Sequence, residues 1–297
     1  MNSFFEEWKT WIKSQKRLSD NTISSYTRDL KAFNVFITNF KNSNLNIKIL
    51  SELDEDDLSG WFYERLKNNV SHRSNARALS ALKSFMNYLI KAGIIENSKI
   101  LTIKGPKFLE SLPRPLSLEQ IHKIITEIKN GKVKWITMRN LSIIIMMWGY
   151  GLRISEALNI KVRDLSRNEL RVTGKGQKVR LIPLHEELIN FINKMLEIIP
   201  FTYNDDSFIF LGKKGRKLKP EIIQRIIREI RNKCLLPDNT TPHSLRHTFA
   251  TELLQNLVDL RYIQELLGHS SLSTTQRYTS VDSEHLKKIL EKKHPRA

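Results

Sequence analysis

Apolar residues recur every three or four positions along most of the chain, and that period predicts a mainly helical protein. Phe4, Phe5, Trp8, Trp11 and Ile12 mark a first amphipathic helix. Leu18-Ser19-Asp20 is a start signal, since a serine hydroxyl can accept from the free amides of a new first turn. Behind it Ile23, Tyr26, Leu30, Phe33, Phe36 and Ile37 continue the stripe. A third helix comes after the acidic cluster Asp54 to Asp57, with Leu58, Trp61, Phe62 and Leu66. A fourth runs from about Ser74 to Ala92, places Leu79, Leu82, Phe85, Met86 and Leu89 on one face and stops at Gly93. These helices form a small bundle over residues 1–103. Rings at this spacing fill a core; a base-stacking platform is the other use they could serve.

From Lys104 to Pro115 the period is lost in a stretch with three prolines and a glycine, which reads as a linker (104–115) to a second domain, 116–297. Helices are expected there at about Ser117 to Lys129 and Thr137 to Gly149. The period then shortens to two. Leu170, Val172, Val179, Leu181 and Ile182 flank Thr173-Gly174-Lys175-Gly176-Gln177, predicting a hairpin over Glu169 to Leu184 whose tip presents Lys175. A short strand is expected at Ser207 to Leu211. Further helices fall at about Glu186 to Ile199, Pro220 to Cys234, Ser244 to Leu257, Leu260 to Leu267, Ser273 to Tyr278 and Ser283 to Lys292. The fold class is therefore mainly α with a small β-sheet, an α+β second domain behind a four-helix first one. The longest apolar run, Leu141 to Trp148, is far too short to span a bilayer and predicts a buried helix, not membrane insertion.

Charge alters this picture of an ordinary soluble protein. The 297 residues carry a net +18, and a surplus of that size points to a polyanion. Residues 1–105 hold 16 Lys and Arg against 11 Asp and Glu, and residues 106–297 hold 33 against 20, so both parts can meet the same partner. In the first part Arg17, Arg28, Arg73, Arg77 and Lys83 are candidates for backbone phosphates, with Lys9, Lys13 and Lys16 on the same polar faces; a solvated face is the competing use of each. The single Cys234 excludes an internal disulfide framework and fits a reducing cytoplasm. The charged first residues lack the apolar core of a secretory signal.

The chemistry gathers late in the chain. His243-Ser244-Leu245-Arg246, Leu267-Gly268-His269 and Arg277-Tyr278 succeed one another at short intervals, after Gly151-Leu152-Arg153-Ile154-Ser155-Glu156 and the Lys175 hairpin. A tyrosine, with an ordinary pKa of about 10, is a poor nucleophile unless its target is made electrophilic. A phosphodiester repels an attacking oxygen until fixed cations neutralise it. Arginine suits that task, because its planar fork grips two oxygens and keeps its proton. Arg153 and Arg246 could thus do what a divalent ion does elsewhere. No cofactor is called for. His243 and His247 stand at metal-ligand spacing, but no glutamate comes after the first, and no metal site is expected. His72, His122, His185 and His285 match no catalytic pattern.

The stretches GLRISEAL (151–158), TGKGQKVRLIPL (173–184), TPHSLRHTFATELL (241–254) and IQELLGHSSLSTTQRYT (263–279) together resemble the tyrosine site-specific recombinases, or phage integrase family, along essentially the full chain. The resemblance is strongest to the Xer type, and IQELLGH leans to its XerC branch; the chain starts directly in the helical domain and ends in His294-Pro295-Arg296-Ala297, leaving no room for an arm-binding domain. It implies a SAM-like core-binding domain and a catalytic domain that clamp double-stranded DNA. It further implies Tyr278 as the nucleophile that forms a 3'-phosphotyrosyl link, Arg153 and Arg246 on the non-bridging oxygens, and Lys175 as general acid to the 5'-oxygen. His243 would bond the phosphate or take the tyrosine proton, His269 would brace the same oxygens, and Glu156 would position an arginine or histidine. Arg277 stands where many relatives have an apolar residue; it could bind phosphate, lower the tyrosine pKa or face solvent.

The resemblance thus implies a metal- and ATP-independent strand transferase of the cytoplasm and nucleoid. It would resolve chromosome dimers at a dif-like site, paired with an XerD-like recombinase, answering to an FtsK-like translocase and docking its tail after Val281 on a neighbouring protomer. The alternatives are a mobile-element integrase, a type IB topoisomerase, or a DNA-binding protein without catalysis.

Overall fold

The computed structural model describes residues 2–105, 115–165, 169–174, 179–256 and 259–267. Two compact units divide the chain, Met1–Ser111 and Leu112–Ala297.

The first unit is helical throughout: α1 (Asn2–Ser14), α2 (Asp20–Phe40), α3 (Ile47–Glu52), α4 (Glu55–Lys67) and α5 (His72–Lys91), closed by a 3-10 turn at Lys99–Leu101. Side-chain caps set the helix starts. Ser19 accepts from the Thr22 amide, Asp54 from those of Asp56 and Asp57, and Ser71 from Ser74. The short α3, capped by Asn46, is not foreshadowed by periodicity, because six residues are too few to show one. Trp8, Phe33, Trp61 and Phe85 lie fully buried among Ile12, Leu30, Ile37, Leu82 and Met86, so these rings are core. Edge-on contacts of Trp8 with Phe85 and Phe33 with Trp61 add to that packing.

One buried charge ties three helices. Asp29 of α2, 3% exposed, accepts from Arg77 Nε of α5 at 2.8 Å and from Arg65 Nη2 of α4 at 3.3 Å. Arg65 Nε donates to Asn75 Oδ1 at 2.8 Å, and its guanidinium lies 4.9 Å from the Trp61 ring centre. Asp29→Ala strands two cations, one of them half in solvent, so urea unfolding should show a loss of about 2 kcal/mol. A loss below about 0.5 kcal/mol would mean the network is no stronger than a surface ion pair.

The second unit begins with α6 (Leu118–Lys129), started by a reciprocal Ser117–Gln120 capping box, and α7 (Lys134–Gly149). Apolar nearly all round, α7 buries Leu141, Ile143, Ile144, Met146, Met147 and Trp148 at the centre of the core. Next come the single turn α8 (Ile154–Ala157), a 3-10 turn at Val162–Asp164 and the antiparallel pair β1 (Glu169–Thr173) and β2 (Val179–Pro183). The register pairs Leu170 with Ile182 and Val172 with Arg180, and all four are buried. Val179 is exposed and Leu181 partly so, hence the inward face of β2 has the opposite phase to the one its apolar residues suggest. The chain continues through α9 (Glu186–Glu197), α10 (Pro220–Lys233), α11 (Pro242–Gln255) and α12 (Leu260–Leu267).

The strand expected at Ser207 to Leu211 is not formed. Phe208 and Leu211 make only isolated bridges to Lys161 and Lys217, because the backbone here pairs first with residues 160–163 and then with residues 216–218, and neither pairing continues into a ladder. Arg139 of α7 braces this stretch from inside by donating to the Leu211 carbonyl at 2.7 Å. Where the chain enters α6, the Leu116 amide donates to Thr248 Oγ1 at 2.8 Å, and that hydroxyl donates to the Ser244 carbonyl at 2.9 Å.

Beside this entry, Pro115, Leu116, Ser117 and Leu118 and the α11 residues Thr248, Thr251, Glu252 and Gln255 line a groove. Glu252 Oε2 is buried there with no hydrogen-bond partner among the described residues, and burial pushes the carboxyl up to about 7, with the nearby Trp148 indole only partly offsetting it. The folded state thus favours the protonated form. No penalty exists below the unfolded value near 4.5; it grows as pH rises and is complete above about 7. Glu252→Gln should therefore match wild type at pH 5 and exceed it by about 1–2 kcal/mol at pH 8, allowing for partial solvation. Equal stabilities at pH 8 in thermal melts would show that the carboxyl ionises freely.

No helix among the described residues is long and apolar enough to cross a membrane.

Candidate functional site

Four elements of the second unit converge on one carboxylate. At the end of α7 the chain turns through Gly151, at φ +65°, a conformation that L side chains rarely adopt. A Cβ at Gly151 would also lie 2.6 Å from Phe249 of α11 and 2.8 Å from Leu267 of α12. Glycine is needed here for backbone shape and for close approach, and this contact seats α12 against the arginine loop.

Two residues on, Arg153 precedes α8. Its backbone amide donates to Glu156 Oε2 at 2.9 Å and its Nη1 to Oε1 at 2.7 Å. Glu156 is only 5% exposed. From β2, Arg180 Nη1 and Nη2 meet the two oxygens of Glu156 at 3.1 and 2.9 Å, a bidentate pair. From α11, Arg246 Nη1 donates to the Gly151 carbonyl at 2.6 Å and approaches Glu156 Oε2 at 3.5 Å. The C-terminal carbonyls of α12 complete the set: Leu267 O accepts from Arg246 Nη2 and, at 3.3 Å, from Arg153 Nη1, while Leu266 O accepts from Arg180 Nε at 2.9 Å. Unpaired carbonyls and the negative end of a helix dipole suit this task.

Three guanidiniums thus surround one carboxylate. Burial pushes Glu156 up, but Arg180 and then Arg153 overcome it and hold the carboxyl below its ordinary range. Arg246, 5% exposed, is brought down to about 10 by burial first and by Arg153 second, with Arg180 adding to the fall and Glu156 opposing it. At neutral pH it remains a cation. Positive charge therefore exceeds negative in a largely dry cluster, which is the electrostatic setting an anionic phosphate would relieve. Arg153 keeps about a third of its side chain exposed, so the cluster has a solvent side.

His243 lies in the first turn of α11, exposed, one turn before the buried Arg246. Thr241 caps that turn, accepting from the Ser244 amide at 3.2 Å. His247 is turned to Thr251, with Nδ1 3.1 Å from its hydroxyl. Lys175, His269, Arg277 and Tyr278 lie outside the described residues. The described chain reaches Gly174 on the hairpin side and Leu267, two residues before His269, on the other.

In the first unit Arg17, Arg28 and Arg73 are exposed. Arg77 is ion-paired to Asp29, and Lys83 donates to the Leu101 carbonyl at 2.9 Å. Both have bonds within their own unit to give up or share before they meet a phosphate.

Arg180 is a site residue that the motifs in the sequence do not single out. The alternation gives no signal for it, since Val179 and Leu181 hold the apolar phase of the strand, yet Arg180 is 6% exposed in the structure.

Family models match both parts of the chain: "Phage integrase family" over residues 114–285 and "Phage integrase, N-terminal SAM-like domain" over residues 5–93. Among curated proteins, Tyrosine recombinase XerC of Agrobacterium fabrum is 40% identical, covering 98% of this chain and 94% of the relative. That of Rickettsia prowazekii is 36% identical, covering 99% and 97%. Among solved structures, XerH site-specific recombinase bound to a palindromic difH substrate, a post-cleavage complex, is similar with TM-score 0.65 and 26% identity, covering 97% of this chain and 85% of that one. A lambda integrase dimer bound to a COC' core site gives TM-score 0.70 at 16% identity, covering 97% and 95%, which is a likeness of fold.

Proposed function

Because the chain belongs to the phage integrase family of tyrosine recombinases, enzymes that cut and rejoin DNA, we propose that it recombines DNA site-specifically through a 3'-phosphotyrosyl intermediate on Tyr278. The observation that carries the reading is the convergence of Arg153 and Arg246 on Glu156 and the end of α12.

In this reading the Tyr278 oxygen attacks the scissile phosphorus and the bond to the 5'-oxygen breaks. Arg153 and Arg246 neutralise the non-bridging oxygens, while His243 and His269 donate to the same group or relay the tyrosine proton. Lys175 protonates the departing 5'-oxygen. The phosphotyrosyl ester conserves the energy of the broken bond, so the 5'-hydroxyl of another strand can reverse the step without ATP. Arg17, Arg28 and Arg73 supply backbone contacts, joined by Arg77, Lys83 and Arg277.

In this reading the DNA is a dif-like two-armed site and the outcome is resolution of chromosome dimers at cell division, supported by the identity to XerC relatives and the likeness to an XerH recombinase bound to a difH substrate. An XerD-like partner would complete a heterotetramer, and an FtsK-like translocase would activate it in the cytoplasm, at the nucleoid.

The test is incubation with nicked duplexes carrying the host's dif-like sequence, in EDTA and without ATP, with and without the partner recombinase. A protease-sensitive covalent adduct, mapped by peptide mass to Tyr278, is the expected result. Tight binding with no adduct, even with the partner present, would leave a DNA-binding protein without strand transfer. An adduct on mobile-element ends and none on the chromosomal site would keep the chemistry and reassign the role.

A further inference from the structure

We propose that Arg180, which lies apart from the groups that act on the phosphate, is a positioning residue for strand transfer: it fixes Glu156 so that Glu156 can hold Arg153 and Arg246 in register for one phosphate. The inference rests on the strand-transfer reading.

Arg180 occupies a position of β2 that faces the core, opposite Val172, and is 6% exposed. A charge survives at such a place only when its partners are close. It has two. Its fork meets both oxygens of Glu156, at 3.1 and 2.9 Å, and a planar two-point contact fixes the rotation of a carboxylate where a one-point contact leaves it free. The orientation matters because the same oxygens serve the other arginines: Oε1 takes Arg153 Nη1, and Oε2 takes the Arg153 amide and faces Arg246 Nη1.

The remaining Arg180 donor, Nε, binds Leu266 O. The next carbonyl, Leu267 O, is the acceptor shared by Arg153 and Arg246. Arg180 therefore orients Glu156 and the carbonyl beside Leu267 O, the acceptors on which the phosphate-gripping pair leans, while all three of its own nitrogens are engaged in doing so.

The full-length protein with Arg180→Gln, compared with wild type and Arg180→Lys, tests this on nicked duplexes in single turnover. Glutamine should slow adduct formation about 30-fold while changing the duplex Kd by less than about threefold, since misplacing charged groups harms the transition state more than the bound state. Lysine, which reaches one oxygen of Glu156, should recover only part of the rate. On a duplex with a neutral methylphosphonate at the scissile position, little charge needs neutralising, and the glutamine defect should shrink to a few-fold.

An equal defect on both substrates would overturn the proposal, as would a rate loss that merely tracks the loss of folded protein by circular dichroism. If wild type forms no adduct on any duplex, the strand-transfer reading fails separately. The guanidinium NMR signals of Arg153 and Arg246 then decide: broadening in Arg180→Gln sustains the positioning role, and unchanged signals overturn it.

Discussion

Arg246→Lys is expected to slow covalent adduct formation by about 10³-fold, roughly 4 kcal/mol of transition-state stabilisation, with a much smaller change in DNA affinity. Arg246 is buried, and its donors point in fixed directions to the Gly151 carbonyl, the Leu267 carbonyl and Glu156. That fan is the property a lysine lacks. An ammonium on a flexible stem can satisfy one of these acceptors at a time, and in a dry cluster beside Arg153 and Arg180 it would shed its proton far more readily than a guanidinium. Affinity should hold because it is spread over many backbone phosphates, of which the scissile one is a small share. Single-turnover cleavage and a gel-shift titration at one salt concentration separate the two. A rate within about tenfold of wild type would mean that Arg246 does not neutralise charge in the transition state.

The second large effect is expected at Glu156. Glu156→Ala removes the carboxylate that three guanidiniums share and leaves them to repel one another in a buried space. Breaking a buried ionic cluster by deleting one partner costs about 3–5 kcal/mol. For a unit of this size that lowers the melting temperature by roughly 10 °C. Glu156→Gln keeps the shape and loses the charge, so it should recover part of the loss. The two differ in pH dependence. Since the carboxyl is held below its ordinary 4.5 when folded, its contribution is present above the unfolded value and is lost as pH falls through the lower, folded one. Wild type should therefore lose stability more steeply than Glu156→Gln below about pH 4.5, and parallel acid unfolding curves would refute the ionic role. Cleavage should fall in both variants, because Arg153 and Arg246 lose their common reference point.

Much of this site is legible in the sequence because each motif couples a chemical group to a backbone signal. Gly151 precedes Arg153 where the chain must turn tightly, and Thr241-Pro242 starts the helix that aims Arg246. The helices are legible for the same reason: Ser19, Asp54 and Ser117 mark starts by chemistry that needs no tertiary contact. What stays hidden depends on partners distant in the chain. Arg180 on a hairpin reads as a surface charge until Glu156, 24 positions earlier, is placed beneath it. Val179 and Leu181 look inward by hydropathy, but the buried face holds Arg180 with Leu170, Val172 and Ile182 instead. The carbonyls of Leu266 and Leu267 carry no signature, since backbone acceptors belong to every residue. The strand expected at 207–211 fails because its backbone is shared between two short segments, 160–163 and 216–218, and alternation does not reveal that no single partner runs its length.

The bond from the Leu116 amide to Thr248 Oγ1 has a mechanical meaning. It fastens the chain, at its entry to the second unit, two residues beyond Arg246 on the same helix, and Thr248 passes the contact to the Ser244 carbonyl one turn back. The start of the second unit is therefore tied to the body of α11, the helix that also meets the Gly151 loop through Arg246 and Phe249. One helix thus serves both as the anchor of the entering chain and as the carrier of Arg246, so a change at Leu116 or Thr248 reaches the arginine cluster through two residues of the same helix.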